Sequence, residues 1–93
     1  MTTDLEMRKR RLRFRAWHRG TKEADYMIGG FVDSRLADMG ETDVAWFELL
    51  LEEQEVDIMA WVFGSKPCPV HFQGALMQAM QKLDYIPEPG SYA

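Results

Sequence analysis

Side chains able to carry catalysis are few in this sequence and lie far apart. His18 and His71 have no cysteine or carboxylate partner at the spacing of a metal site, and the lone Cys68 lies between two prolines. No serine has the surroundings of an activated nucleophile, and Gly29-Gly30 falls inside a helical pattern and not in a phosphate-binding loop. We therefore expect no catalytic constellation, no metal site and no stably held cofactor, so that the protein is not an enzyme.

The stretch Arg19-Gly20-Thr21-Lys22-Glu23 fits either a corner that recognises another protein or an ordinary turn between two helices. Glycine reaches positive φ without steric cost, so Gly20 suits a sharp turn that a partner's backbone can approach closely. Arg19 would present a planar fork to a carboxylate or carbonyl, and Glu23 would either order Arg19 or meet a cation of the partner. The alternative is an ordinary turn with an incidental ion pair, which contributes at most about 1 kcal/mol when exposed.

Charge is divided unevenly along the chain, which has a net charge of −4. Residues 1–22 hold eight basic and two acidic residues, a net charge of +6. Residues 23–93 hold three basic and thirteen acidic residues, a net charge of −10. This polarity favours oriented docking onto a charged partner.

Helical periodicity runs through most of the chain and positions these residues. The first expected helix covers 4–18 and is capped by Asp4, and the second begins at Thr21 or Lys22 and is ended by Gly40. The third covers 43–53 and is capped by Thr42. A short fourth helix is capped by Asp57 and closed by Gly64, and the fifth covers 70–83. In the first helix, Leu5, Leu12 and Ala16, with Met7 and Phe14, would supply apolar contacts. In the second, Gly29-Gly30 would be compensated by the close approach of another helix.

The fold class that follows is all-α, a compact single-domain bundle of about five short helices over residues 1–83. Residues 84–93, which contain Pro87, Pro89 and Gly90, would form a flexible C-terminal tail. No apolar run approaches the roughly 20 residues of a membrane span, and no secretory signal precedes the first helix. With a single cysteine, a soluble protein of a reducing compartment is the simplest interpretation.

The basic run from Arg8 to Arg15 has three interpretations. It is a solvated helix face, the nucleic-acid contact of a small antitoxin-like regulator, or a surface that docks onto an acidic protein. The acidic remainder of so small a chain argues against nucleic acid. Trp17, beside His18 and Arg19, either belongs to the core or lines an interaction surface.

The pattern Arg19-Gly20-x-x-Glu23 stands within a wider set of characteristic residues. These are Arg11-Leu12-x-Phe14 and Ala16 upstream, and Asp25, Trp46-Phe47-Glu48-Leu49-Leu50 and Asp57-Ile58-x-x-Trp61 downstream. Over residues 8–83 the chain resembles the small assembly factors, shared by proteobacteria and mitochondria, that promote covalent attachment of flavin to succinate dehydrogenase.

The resemblance implies a five-helix bundle, in agreement with the periodicity, and a function that periodicity does not show. It implies a protein that binds the flavoprotein subunit of succinate dehydrogenase, with fumarate reductase as a further candidate client, and assists linkage of FAD to one of the subunit's histidines. FAD is then attached to the client and is not a cofactor of this chain. We further expect no nucleic-acid partner, no membrane insertion, a monomer when free, and a location in the bacterial cytoplasm, because no mitochondrial presequence precedes the first helix. The residues expected to contact the partner are Arg11, Arg15, Trp17, His18, Arg19, Gly20, Lys22, Glu23 and Asp25.

Overall fold

The computed structural model describes residues 3–85, which form helices joined by short turns. The α-helices are α1 (Asp4–Trp17), α2 (Lys22–Arg35), α3 (Glu41–Leu50), α4 (Glu55–Phe63) and α5 (Ala75–Lys82). Two single turns of 3-10 helix, Leu36–Asp38 and Val70–Phe72, precede α3 and α5. No strand occurs among the described residues, which confirms the predicted all-α bundle. None of the helices found there is both long and apolar enough to cross a membrane.

The helices pack around one continuous core. Helix α1 packs mainly against α2 and also against α3, while α4 packs against α5. The aromatic centre of the core is formed by Phe31 of α2 and Phe47 of α3, whose ring centroids lie 5.6 Å apart. At the other end, Trp61 of α4 stacks on Phe72 at 5.6 Å. Every helix therefore buries one face in a shared interior, as the sequence periodicity predicts.

One of the paired glycines in α2, Gly29, is explained by a close contact with α1. A Cβ atom built on Gly29 would lie 2.6 Å from Cε2 of Trp17, so the indole occupies the space that a side chain would need. Gly29 is buried and lies in the middle of α2, where glycine costs about 1 kcal/mol relative to alanine. This contact confirms the predicted close approach, which is made here by a side chain near the end of the neighbouring helix.

Several predicted helix ends are wrong by a few residues. Helix α1 is capped by Thr3 in a capping box with Glu6 and not by Asp4. Helix α3 begins after Gly40 and not after Thr42, and α4 begins at Glu55 and not after Asp57. At the start of α4 the acidic side chains lie at the positive end of a helix dipole, where they are stabilising.

The predicted helix over 70–83 is split in two. Val70–Phe72 forms a 3-10 turn, and α5 begins only after Gly74, which has φ +143°. Phe72 is buried from the 3-10 turn, and it therefore fits the apolar pattern of a longer helix without being part of one. An L side chain is strained at the φ of Gly74, so this residue divides the segment.

Two apolar side chains of α1 do not have the predicted role. Met7 is 51% exposed and Phe14 is 65% exposed, whereas Leu12 and Ala16 are buried as expected.

The predicted tail begins at residue 84, and Tyr85 within it packs edge-on against Phe31 at 5.0 Å between ring centroids. The prediction for the rest of the tail, residues 86–93, lies outside the described residues.

Candidate functional site

The motif Arg19–Glu23 forms the turn between α1 and α2. Helix α1 ends with His18 as its C-cap, and Gly20 follows with φ +112°. Thr21 then caps α2, because its Oγ1 accepts a hydrogen bond from the amide N–H of Ala24 at 3.2 Å. Gly20 is exposed, and no atom lies within 4 Å of the position that its Cβ would occupy. The glycine therefore reverses the chain and presents bare backbone to the surface.

Arg19 points inward from this turn. Its Nη1 donates to the carbonyl oxygen of Leu51 at 2.8 Å, and its Nη2 donates to that of Glu53 at 2.7 Å. Its backbone N–H donates to Oδ1 of Asp25 at 2.6 Å. The guanidinium is thus engaged within the chain, which corrects the expectation that it presents an open fork to a partner. The contact joins the α1–α2 turn to the segment between α3 and α4.

Burial lowers the pKa of Arg19 from its usual value, while the carboxylates of Glu55, Asp25 and Glu52 oppose this effect. The Nε atom of Arg19 is buried and has no hydrogen-bond partner among residues 3–85. The surroundings of Arg19 are therefore partly desolvated, and its two carbonyl contacts are correspondingly stronger than they would be in water.

The contact with Arg19 also explains how an acidic helix end is tolerated. Helix α3 ends beside Glu52 and Glu53, whose negative charges are unfavourable at the negative end of the helix dipole. Arg15 forms an ion pair with Glu52 at 3.3 Å, and Arg19 covers carbonyl oxygens that follow the helix. The two arginines supply the cations that α3 itself lacks in its last turn.

Lys22 and Glu23 differ from Arg19 in lying at the surface of the protein. Both are exposed, and neither forms a hydrogen bond or ion pair with another residue in the range 3–85. Glu23 therefore does not order Arg19 across the turn; Asp25, two residues further along, holds the Arg19 backbone instead. Of the two roles considered for Glu23, contact with a cation of a partner is the one left open by this geometry.

Trp17 is a half-buried contact between the first two helices. Its Nε1 donates to Oδ2 of Asp33 at 3.2 Å, and its ring packs against Gly29 and edge-on to Tyr26. Asp33 also accepts from Nε of Arg13 at 2.6 Å. The indole is therefore held by α2, with part of its surface still accessible.

His18 and Arg11 lie on the outer face of α1. The His18 ring stacks on Phe14 with centroids 4.0 Å apart, and its Nδ1 lies 2.6 Å from the Phe14 carbonyl oxygen. Arg11 is exposed one helical turn before Phe14. The predicted site residues thus separate into an inner group, formed by Arg15, Arg19 and Asp25, and an outer group, formed by Arg11, His18, Gly20, Lys22 and Glu23, with Trp17 between the helices.

Most of the arginines in the basic run form ion pairs with other residues of the same chain. Arg8 donates to Glu48 from Nη2 at 2.7 Å and also contacts Glu41, and Arg13 pairs with Asp33. The hydrogen bond from Arg8 holds the pKa of the Glu48 carboxyl below its usual value. The run is therefore in large part a set of contacts that bind α1 to α2 and α3, an outcome that none of the three sequence interpretations includes.

Sequence reasoning missed the acceptors that hold the turn in place. They are the Asp33 carboxylate and the backbone carbonyls of Leu51 and Glu53. One signal was present, since an acidic helix end without cations calls for basic side chains from another part of the chain. No group of three or more potential metal-ligating side chains is assembled within residues 3–85.

Comparison with known proteins provides the family. A family model described as flavinator of succinate dehydrogenase matches residues 10–84. The chain belongs to this family. The match confirms the resemblance seen in the sequence and covers every residue of the α1–α2 turn.

Flavinator relatives from bacteria and eukaryotes are similar to the chain. The FAD assembly factor SdhE of Acetobacter pasteurianus is 42% identical over 66 residues, which cover 71% of this chain and 61% of that protein. The mitochondrial succinate dehydrogenase assembly factor 2 of Drosophila grimshawi is 30% identical over 80 residues, covering 84% of this chain and 54% of that protein. The chain thus spans between half and two thirds of the length of these relatives. The names describe assembly factors and not catalysts, in agreement with the prediction that the chain is not an enzyme.

Proposed function

We propose that this flavinator-family protein binds the flavoprotein subunit of succinate dehydrogenase and promotes covalent attachment of FAD to it. The observation that carries the proposal is the α1–α2 turn, where Gly20 and Glu23 are exposed and held in a fixed geometry by the internal contacts of Arg19. Family membership supplies the class of client. The same arrangement would serve fumarate reductase if its flavoprotein subunit carries a matching surface.

The outer side of the turn supplies the recognition chemistry. Bare backbone at Gly20 lets a backbone segment of the client approach closely. The Glu23 carboxylate, which has no ion-pair partner within residues 3–85, is available to a cation on the client. The factor then acts as a binding protein that holds the subunit in a conformation competent for flavin attachment. FAD reacts with the client, and the factor keeps no flavin of its own.

The direct test uses purified flavoprotein subunit with FAD, in the presence and absence of this chain. We expect the two proteins to co-purify, and we expect covalent flavin, seen as in-gel fluorescence of the denatured subunit, to increase when the chain is added. A matched control is the Val70→Ala variant, because Val70 is 83% exposed and lies outside the proposed site. Equal flavin fluorescence with and without the chain, together with no complex, would overturn the proposal.

The competing interpretation is a nucleic-acid-binding regulator. It is less well supported, because the ion pairs of Arg8, Arg13 and Arg15 occupy much of the basic run. We expect any binding to duplex DNA or RNA to disappear near physiological salt, as it does for purely electrostatic contacts. Sub-micromolar, sequence-dependent binding under those conditions would favour the regulator and contradict the flavinator proposal.

We also expect the free chain to be a monomer, and sedimentation of the free chain would test this expectation.

A further inference from the structure

A stripe of exposed side chains runs along α1 into the α1–α2 turn. It consists of Met7, Arg11, Phe14 and His18, and we call it the outer stripe. With about 100° between successive helix residues, these four positions fall within an arc of about 60° and span about 16 Å. They lie opposite Leu12 and Ala16, which are buried. Helix α1 therefore carries two large apolar side chains, Met7 and Phe14, on the side away from the core, and the described part of the chain leaves them exposed.

The aromatic part of the outer stripe is held in place before any partner arrives. Phe14 is 65% exposed, yet its ring stacks on His18 at 4.0 Å and an interplanar angle of 19°. The contact between His18 Nδ1 and the Phe14 carbonyl oxygen, at 2.6 Å, fixes the imidazole in turn. An aromatic side chain that is already ordered loses little conformational freedom when it is buried by a partner.

The charges beside the outer stripe differ from those on the rest of α1. Arg8, Arg13 and Arg15 are paired with carboxylates of α2, α3 and the segment after α3. Arg10 and Arg11 are exposed, and neither forms an ion pair with another residue in the range 3–85. They precede Phe14 by four and three residues, so Arg11 lies within the outer stripe and Arg10 lies beside it. Cations without internal partners thus adjoin the exposed apolar side chains.

We infer that the outer stripe is a second docking surface, for a segment of the client flavoprotein that carries carboxylates beside an apolar side chain. The inference rests on the proposed function and extends it, because His18 at the end of the stripe directly precedes the Arg19-Gly20 turn. Phe14 and Met7 cover the apolar side chain of this segment, and Arg10 and Arg11 bind its carboxylates. Aromatic and arginine side chains at the centre of an interface commonly dominate its binding energy.

The charge pattern favours a protein over an anionic lipid surface or a nucleic acid. The exposed Glu23 follows His18 by five residues, and residues 23–93 carry a net charge of −10. A uniformly anionic partner would be repelled by this carboxylate, whereas a protein surface of mixed charge can match both signs. Two large apolar side chains also offer little area for membrane insertion compared with an interfacial helix.

The test compares the affinity of the flavoprotein subunit for wild-type chain, for Phe14→Ala, and for the double variant Arg10→Glu with Arg11→Glu. We expect each variant to bind about tenfold or more weakly than wild type, because each removes a central contact. The charge-reversed variant should also lose the dependence of the association rate on salt. Val70→Ala and Lys66→Glu, which alter exposed residues after α4, serve as matched controls and should bind like wild type. Helical circular dichroism verifies that each variant is folded.

The outcomes separate the two proposals. If wild-type chain does not bind the subunit, the proposed function fails, and this inference fails with it. If wild-type chain binds and both stripe variants bind equally well, only the inference is overturned. Sedimentation with vesicles of phosphatidylglycerol and phosphatidylcholine provides a further check. Vesicle binding by wild type at physiological salt that is lost in Phe14→Ala would assign the stripe to lipid and overturn the inference.

Discussion

Arg19 and Glu23 belong to the same short motif, but the Arg19 side chain is bonded to the bundle and Glu23 is exposed. The Arg19 guanidinium is bound to two carbonyl oxygens near the end of α3, at 2.8 and 2.7 Å. Glu23 is exposed and forms no ion pair within residues 3–85. Residues that lie close together in a motif can therefore have different roles. Arg19 holds the turn on the bundle, and Gly20 and Glu23 form the surface that a partner meets.

The largest effect on stability within this comparison is expected for Arg19→Met. The change keeps an unbranched side chain but removes two charge-assisted hydrogen bonds and leaves the carbonyls of Leu51 and Glu53 unpaired. We expect the free energy of unfolding to fall by about 2–3 kcal/mol, a range that allows for the desolvation of the guanidinium. Chemical denaturation would measure this loss.

Arg13→Met is the matched control for Arg19→Met. Arg13 is bonded to Asp33, but its side chain is 57% exposed, so the loss of stability should be much smaller than for Arg19→Met. If Arg13→Met and Arg19→Met lower the free energy of unfolding equally, the contacts of Arg19 do not hold the turn on the bundle more strongly than an exposed ion pair would.

A smaller effect is expected for Gly20→Ala. The φ of +112° is unfavourable for an L residue, although the new methyl group would meet open space. We expect a loss of about 1–2 kcal/mol from backbone strain alone, with the helices intact. Covalent flavin on the client should fall much further than this loss explains, since the methyl group keeps the client's backbone away from the turn.

Gly40→Ala supplies the control for Gly20→Ala. Gly40 is also exposed and also has open space around it, but its φ is −94°, which any residue adopts. We expect the free energy of unfolding to change by no more than about 0.5 kcal/mol, and flavinylation to be normal. If Gly40→Ala lowers the free energy of unfolding as much as Gly20→Ala does, the positive φ of Gly20 does not explain the loss.

The contact between Arg8 and Glu48 also predicts a dependence of stability on pH. The hydrogen bond from Arg8 depresses the pKa of Glu48 in the folded state below its unfolded value of about 4.3. This stabilisation is present above pH 4.3 and is lost as the pH falls through the depressed folded value. Because the pair is partly exposed, we expect its contribution to stability to be small.

The variant Glu48→Gln tests this dependence. Urea unfolding at neutral pH and at about pH 3 should show a smaller acid-induced loss for the variant than for wild type. An identical loss in both proteins would indicate that other carboxylates carry the acid sensitivity.

The parts of the structure predicted from the sequence are those that depend on local pattern. The apolar spacing of Met27, Ile28 and Phe31 predicts the buried face of α2, and the glycine pair predicts a close neighbour. Both predictions are confirmed because helix period and side-chain size act within a few residues. The split before α5 was missed, since Phe72 continues the apolar pattern across a break that only the φ of Gly74 reveals.

The site was predicted less completely, because its inner side depends on contacts between distant parts of the chain. Arg19 is bonded to residues 32 and 34 positions away, and no periodicity identifies these acceptors. For Met7 and Phe14, the sequence predicted contacts with the core that the structure does not contain. Their spacing suits a helix, but the side of α1 that is buried is decided by packing against α2 and α3.

The most direct test of the account compares Glu23→Gln with Arg19→Met in the same flavinylation assay, alongside their thermal melts. Glu23→Gln removes a charge from an exposed side chain, so its free energy of unfolding should change by less than about 0.5 kcal/mol. We nevertheless expect it to bind the flavoprotein subunit about tenfold more weakly and to yield less covalent flavin at a temperature where it is fully folded. Arg19→Met should show a lower melting temperature and regain much of its activity on cooling. Normal flavinylation by folded Glu23→Gln would contradict the division of the motif into an inner tether and an outer recognition surface.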